Sequence, residues 1–225
     1  MAAEFLTSRL RLRDWSLDDL APLAEVFAKP QVWHFPFRRG FSLAETEAFL
    51  LRRIEEQESR GWSLRAAEDR ETRRLIGYIG LSEPDFLPEL MPSIEIGWRL
   101  DPVAWGRGLA TEGARAALAF GFEDLGLDRV VSICEPDNVS SSRVMHRLGM
   151  SFDRATVDPL HGVPLCIYRL EQAEWEAADL RSRVVKGVSV HRTRGYPRAP
   201  LPPFAGKMAI AILREQHTGH VHRAD

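Results

Sequence analysis

The sequence has few cysteines and no long apolar run. Cys134 and Cys166 are the only cysteines among 225 residues, and they form no CxxC pair. Each falls in an apolar stretch, so we predict buried, reduced thiols rather than a disulfide or metal ligands. No segment approaches the roughly 20 apolar residues that a membrane span needs. The charged segment 1–13 has no apolar signal-peptide core. We therefore expect a cytoplasmic protein without a membrane partner.

Several catalytic motifs are also missing. The chain contains no Walker A sequence, no HExxH and no GxSxG. The sequence therefore predicts no metal site, and we assign no function to the histidines of the C-terminal segment.

The charge is unevenly distributed along the chain. Residues 176–225 hold nine of the 30 Lys and Arg side chains but only four of the 32 Asp and Glu. That segment carries a net charge of +5, and residues 1–175 carry −7. An acidic body is unsuited to nucleic acid and compatible with a cationic, amine-bearing substrate. Acidity that only keeps the protein soluble explains the charge equally well.

Alternation and capping patterns predict an α/β domain. We expect strands at 6–13, 62–68, 75–82, 94–100, 129–135, 151–157 and 165–170, and helices at 14–29, 42–60, 109–125, 138–148 and 172–183. This order is typical of one mixed sheet flanked by helices. Four prolines between positions 197 and 203 end the pattern. We therefore expect a domain over 1–175, then a C-terminal helix and a basic, flexible tail over 176–225.

The most informative segment joins strand 94–100 to helix 109–125. Its loop contains Gly106 and Gly108, and glycines let a backbone turn sharply and approach a ligand closely. The first amides of the helix have no intrahelical partner and lie at the positive end of its dipole. These features predict a phosphate-binding loop, to which Arg107 adds a charge. Taken alone, the pattern also fits a plain turn, or a dinucleotide-binding loop whose third glycine is replaced by Thr111.

A second polar pair begins the helix at 138–148. Asn138 and Ser141 are one turn apart and therefore share a face. Taken alone, Asn138 is best interpreted as an N-cap.

Together these motifs resemble the GNAT acetyltransferase superfamily, in particular its RimJ/RimL-like N-acetyltransferases. The loop follows the family pattern Q/R-x-x-G-x-G/A at Gly108 and Ala110, although Trp105 stands where Gln or Arg is usual. Further matches are Ala110-Thr111-Glu112, the segment Thr7 to Arg13, Ile76-Gly77-Tyr78-Ile79-Gly80, and Asn138-x-x-Ser141 with Leu148-Gly149-Met150. The resemblance covers residues 5–175.

The resemblance implies a fold and a co-substrate. The mixed sheet is expected to splay into a V between strands 94–100 and 129–135, and to hold acetyl-CoA without a metal. The pantetheine would bond to the backbone near Trp98 and Leu100, and the diphosphate to the loop. The implied cofactor-binding residues are Trp98, Leu100, Trp105, Gly106, Arg107, Gly108, Leu109, Ala110, Thr111, Asn138, Ser141 and Arg143. A solvated position is an equal alternative for Arg143. Trp33 and Phe35 are expected to shape the acceptor pocket, with core packing as the alternative.

Two residues are candidates for the catalytic roles. An amine must lose its proton before it attacks a thioester, so a base is useful. Glu95 is our candidate, acting directly or through water, with a surface or salt-bridged glutamate as the alternative. We expect Glu95→Gln to slow acetylation mostly at low pH. Ser141 is the candidate acid, with water as its rival, because Met145 stands where many family members carry a tyrosine.

The sequence therefore predicts an acyl-CoA-dependent N-acetyltransferase that acts on a primary amine. The acceptor is a protein N-terminal α-amine or a small amine such as an aminoglycoside. A module that binds or senses CoA without catalysis is the alternative, and an NAD-linked dehydrogenase is a more distant one. No nucleic-acid partner is expected, and the choice between monomer and homodimer stays open.

Overall fold

The computed structural model describes residues 4–177 and 189–190. Its strands are β1 Phe5–Leu6, β2 Leu10–Arg13, β3 Leu64–Asp69, β4 Leu75–Ser82, β5 Ile94–Leu100, β6 Arg129–Cys134, β7 Ser151–Val157, β8 Pro164–Glu171 and β9 Ser189–Val190. Its helices are α1 Leu20–Phe27, α2 Leu43–Arg60, α3 Leu109–Ala119, α4 Val139–Arg147 and α5 Gln172–Ala177. The contacts divide the chain into Met1–Gly195 and Tyr196–Asp225, and the second part lies outside the described residues. Most of the predicted tail therefore lies outside them too.

The described strands form one mixed sheet. Its order is β7-β8-β6-β5-β4-β3-β2-β1-β9. Every recorded neighbouring pair is antiparallel except β5 and β6. The predicted α/β class, with one mixed sheet flanked by helices, is confirmed.

Apolar side chains cover both faces of the sheet. On one face α3 packs against Leu10, Ile79 and Ile96, all of which are fully buried. On the other face α1 and α2 enclose a largely aromatic cluster that includes Phe27 and Trp33. Because successive side chains of a strand point to opposite faces, β4 contributes to both layers, with Ile79 in the first and Tyr78 in the second.

Local capping explains the helix bounds. Ser42 and Glu45 form the predicted capping box before α2, and Gly61 follows the helix with a φ of 81°. The predicted helix 109–125 divides into α3 and one π-helical stretch, Phe120–Asp124. The first helix is shorter than predicted, because a 3-10 turn at Leu17–Asp19 precedes it.

The prediction of a single strand over 6–13 is wrong. Phe5–Leu6 and Leu10–Arg13 pair with each other as an antiparallel hairpin. The chain turns between them, where the amide of Thr7 donates to the carbonyl of Leu10 at 2.9 Å. Apolar and basic residues alternate only over 9–13, and the strand was wrongly extended back to Leu6 through the turn at Thr7 and Ser8.

Candidate active site

The sheet opens between β5 and β6. In the part of the chain that the structure describes, their parallel pairing is limited to Ile94 with Val130 and Glu95 with Val131. One step further the link is made by a side chain, since the hydroxyl of Ser132 donates to the carbonyl of Ile96 at 2.9 Å. Beyond that bond the two strands form no recorded pair, which leaves a V-shaped gap.

Backbone groups of Trp98 face this gap. The carbonyl of Ile96 points toward β6, and the carbonyl of Leu100 accepts a bond from the Trp105 indole at 2.7 Å. Residues two apart in a strand direct their backbone groups to the same edge. Trp98 lies between these two residues, so its N–H and C=O point into the gap. The Leu100 carbonyl already accepts a bond from Trp105, so the N–H and C=O of Trp98 are the backbone groups of this edge that remain for a ligand in the gap.

The loop before α3 presents a series of uncovered amides. Gly106 and Gly108 both have left-handed backbones, with φ of 72° and 76°. Among the described residues, no backbone acceptor is recorded for the amides of Gly106, Arg107 and Gly108. The first bond of the helix runs from the amide of Glu112 to the carbonyl of Gly108, so the amides at 109–111 also lack an intrahelical partner. Gly108 provides no side-chain cap.

The neighbours of these amides differ in exposure. Trp105 is 52% exposed, and Arg107 is exposed but bound to Asp69, with Nη1 and Oδ2 2.9 Å apart. Burial opposes ionisation of Asp69, yet the Thr72 amide and Arg107 outweigh it and hold the pKa of this carboxyl below its ordinary value. Leu109 and Thr111 are buried, and the Thr111 hydroxyl has no recorded partner within the described part of the chain.

Glu95 lies on β5 beside the apex of the gap. It points away from Ile94 and Ile96, as alternation predicted, toward the face covered by α1 and α2. Burial raises the pKa of Glu95 to about 8, and nearby Asp85 adds to the shift. The positive charge of Arg99 and a hydrogen bond from the Ile133 amide oppose it. A carboxyl of this kind accepts and releases a proton close to neutral pH.

Arg99 joins this face of β5 to the segment after α1. Its guanidinium donates to the carbonyls of Val32 and Phe35, at 2.5 and 3.0 Å, and lies 3.8 Å from the ring centre of Trp33. Trp33 is buried and stacks on Phe41, whereas Phe35 is half-buried. The structure therefore places Trp33 in the aromatic core and Phe35 nearer the surface.

Sequence reasoning missed a bridge across the gap. Arg38, in the same segment, donates to Glu135 at the end of β6, with 2.5 Å between Nη2 and Oε2. Glu135 is 6% exposed, and its Oε1 has no recorded partner in the described chain. We call residues 32–41 the bridging segment, because Arg99 and Arg38 attach it to the two strands that diverge. The alternation of β5 puts Arg99 on the face of Glu95, but no pattern in the sequence indicated the pair of Arg38 and Glu135.

The start of α4 carries the second predicted pair. The Asn138 side chain accepts a bond from the Ser141 amide at 3.1 Å, so Asn138 is the N-cap. Ser141 is half-buried and Arg143 is exposed. Met145 is 1% exposed in the core below. The structure thus brings Ser141 to the end of β6, whereas Met145 points away from solvent.

Comparison with known proteins identifies the class to which this architecture belongs. Residues 9–151 match the family model described as an acetyltransferase (GNAT) domain. The uncharacterised N-acetyltransferase YoaA of Bacillus subtilis is 30% identical over 152 residues, covering 64% of this chain and 80% of YoaA. An acetyltransferase structure from Agrobacterium tumefaciens is 26% identical with a TM-score of 0.64, covering 75% of this chain and 94% of that one. RimL, a ribosomal L7/L12 α-N-protein acetyltransferase solved with coenzyme A, shares the fold at 16% identity and a TM-score of 0.61, covering 74% of this chain and 96% of RimL.

The chain belongs to the GNAT acetyltransferase family. The family model spans more than half of the chain and includes the loop, Glu95 and the start of α4. The predicted acyl-CoA-dependent N-acetyltransferase class is thereby confirmed, and the RimJ/RimL-like fold with it. No helix in the described residues is long and apolar enough to cross a membrane.

Proposed function

We propose that this protein transfers the acetyl group of acetyl-CoA to a primary amine. The observation that carries the proposal is the row of amides at 106–111, for which the described part of the chain provides no recorded backbone acceptor and which follows β5 where that strand parts from β6. Amides at a helix N-terminus favour a diphosphate, through hydrogen bonds and through the helix dipole. The edge of Trp98 gives the pantetheine amides backbone partners along the gap. Asn138 and Ser141 lie at the start of α4, directly after β6, which forms the other arm of the V.

Glu95 is the proposed base. It accepts a proton from the acceptor ammonium, directly or through one water, and the neutral amine attacks the thioester carbonyl. A C–N bond forms, and the C–S bond then breaks to release the CoA thiolate. The thiolate takes a proton from water, either directly or through Ser141, whose hydroxyl gives up its proton and regains one from solvent, and the amide nitrogen loses its second proton to solvent. A backbone amide of β5 stabilises the oxyanion.

A protein N-terminal α-amine is the acceptor that we favour. An α-amine has a pKa of about 8 and a lysine amine one of about 10.4. The pKa of Glu95, about 8, matches the first, so proton transfer from an α-ammonium is nearly balanced, whereas transfer from lysine runs uphill. The fold shared with RimL supports the same acceptor class. A small amine such as an aminoglycoside is the second candidate, because the acidic body suits any cationic acceptor.

Two measurements test this function. Calorimetric titration of the full chain with acetyl-CoA and with NAD should show binding of acetyl-CoA alone. Release of CoA thiol is then followed with matched peptides, one with a free α-amine and no lysine, the other with a blocked N-terminus and one lysine, and with an aminoglycoside. We expect release with the free α-amine. Binding of acetyl-CoA without release for any acceptor would favour the CoA-sensing module, and absence of acetyl-CoA binding would refute the proposal.

A further inference from the structure

The turn between β1 and β2 is held by a residue from α3. Glu112, in the first turn of α3, accepts hydrogen bonds from the hydroxyls of Thr7 and Ser8, at 2.5 and 3.0 Å, and from the Arg9 amide at 2.9 Å. Burial opposes ionisation of Glu112, but the bonds from Thr7 and Arg9 hold its pKa below the ordinary value. A charged carboxylate therefore fixes the segment that precedes β2.

Arg9 extends this network to the phosphate-binding loop. Its Nε and Nη2 lie 2.7 and 2.5 Å from Oε2 of Glu112, and its Nη1 donates to the backbone carbonyl of Arg107 at 2.8 Å. One planar guanidinium thus spans a carboxylate on α3 and a carbonyl in the loop. A lysine ammonium has no comparable fork.

The bond to the Arg107 carbonyl determines where an amide points. In a trans peptide the C=O and the following N–H project in opposite directions. Holding the carbonyl of Arg107 toward Arg9 therefore directs the amide of Gly108 away from Arg9. This peptide is followed by Gly108, which has a φ of 76°, so its orientation is less restricted by side-chain sterics than that of an ordinary peptide.

We propose that Arg9, oriented by Glu112, is a positioning residue that locks the Arg107–Gly108 peptide with its N–H directed at the diphosphate of acetyl-CoA. The inference rests on the proposed function, because it presumes that the loop binds this diphosphate. It explains why the N-terminal segment and Glu112, which are far apart in the sequence, both belong to the set of motifs noted above. Arg9 acts on binding of the co-substrate and not on the chemical step.

A comparison of two acetyl donors, acetyl-CoA and acetyl-pantetheine, in Arg9 variants tests the positioning role. In Arg9→Gln and Arg9→Lys we expect the Kd for acetyl-CoA to rise about tenfold, the effect of losing one well-placed hydrogen bond. The kcat and the KM for the acceptor should stay within about twofold of the wild type. The KM for acetyl-pantetheine, which lacks the diphosphate, should not change. Substitution of a residue that merely supports the fold would change both the Kd for acetyl-CoA and the KM for acetyl-pantetheine.

A second variant and a control complete the test. Glu112→Gln keeps an oxygen for Thr7 but faces Arg9 with an amide donor, so it should weaken acetyl-CoA binding as the Arg9 variants do. Arg11→Gln removes another arginine of the same hairpin, one that pairs with Glu4 at 2.6 Å, and should leave binding unchanged. Thermal unfolding of each variant confirms that it is folded.

The outcomes separate this inference from the function on which it rests. Full binding by Arg9→Lys would mean that Arg9 acts only as a charge, and unchanged binding by Arg9→Gln would mean that the loop needs no support; either result overturns the positioning role and leaves acetyl transfer intact. Failure of the wild type to bind acetyl-CoA would remove the proposed function itself.

Discussion

At the scale of single residues, the raised pKa of Glu95 changes the expected pH dependence. The sequence led us to expect that Glu95→Gln would slow acetylation mostly at low pH. With a pKa of about 8, the wild-type carboxyl is largely protonated at pH 6 and becomes a base as the pH rises. We expect the wild-type kcat to rise toward pH 8, and Glu95→Gln to lower kcat about 100-fold at pH 8 and much less at pH 6.

Profiles of kcat against pH, recorded at saturating acetyl-CoA and acceptor, check this expectation. Saturation matters because the ionisation of the free amine would otherwise contribute to the same slope. Identical profiles for the wild type and Glu95→Gln would remove Glu95 from the mechanism.

The same pKa has a consequence for stability. Glu95 has a folded pKa of about 8 against an ordinary value of 4.5, so the folded state holds this proton more tightly than the unfolded state. The stability that this protonated carboxyl contributes to the folded state is fully present below pH 4.5 and is lost as the pH rises to about 8. One pKa unit corresponds to about 1.36 kcal/mol. With allowance for partial exposure of Glu95, the free energy of unfolding of Glu95→Gln should rise relative to that of the wild type by about 1–3 kcal/mol between pH 4.5 and 8.

Urea unfolding at the two pH values measures this gain. Glu58→Gln on α2 is a matched control, because it makes the same substitution at an exposed position. Equal effects of the two substitutions would contradict the burial of the Glu95 carboxyl.

At the scale of elements, the bridging segment, which we expect to border the acceptor pocket, should respond to the loss of Arg38. Arg38→Ala leaves the carboxylate of Glu135 buried without its partner and removes the link from the segment to β6. We expect the acceptor KM to rise about tenfold, while the Kd for acetyl-CoA stays within about twofold. Arg39→Ala is the control, since the neighbouring Arg39 is exposed and pairs with Glu45 on α2. A rise in the Kd for acetyl-CoA instead would place Arg38 at the cofactor.

Elements defined by local signals could be predicted from the sequence, and elements defined by distant contacts could not. The bounds of β5 and the capping box of α2 follow from alternation and spacing within a few residues, and both were confirmed. The hairpin of β1 and β2 was missed because its turn is held by Glu112, 105 positions after Thr7. The bridge from Arg38 to Glu135 spans 97 positions and left no local pattern. Glu95 could be found by its place in a motif, but its pKa depends on residues from several elements.

At the scale of the whole molecule, the uneven charge predicts an effect of the tail. Residues 184–225 hold seven basic and two acidic side chains, and the remaining 183 residues carry a net charge of −7. Within this tail only Ser189–Val190 lies among the described residues, where it pairs with β1. Deleting 184–225 therefore removes charge that opposes the approach of cations to an acidic body.

We expect the truncated protein to favour cationic acceptors. With saturating acetyl-CoA at low ionic strength, its kcat/KM should rise about threefold for a peptide with three lysines and stay unchanged for the same peptide with glutamines. The difference should vanish near 1 M salt, where the Debye length is about 3 Å. Unfolding curves check that loss of β9 has not destabilised the sheet. Equal changes for both peptides would mean that the tail acts by contact. A gain that is specific to the lysine peptide and that salt abolishes would assign the effect of the tail to its charge, because only long-range electrostatics distinguishes two peptides with the same reacting amine.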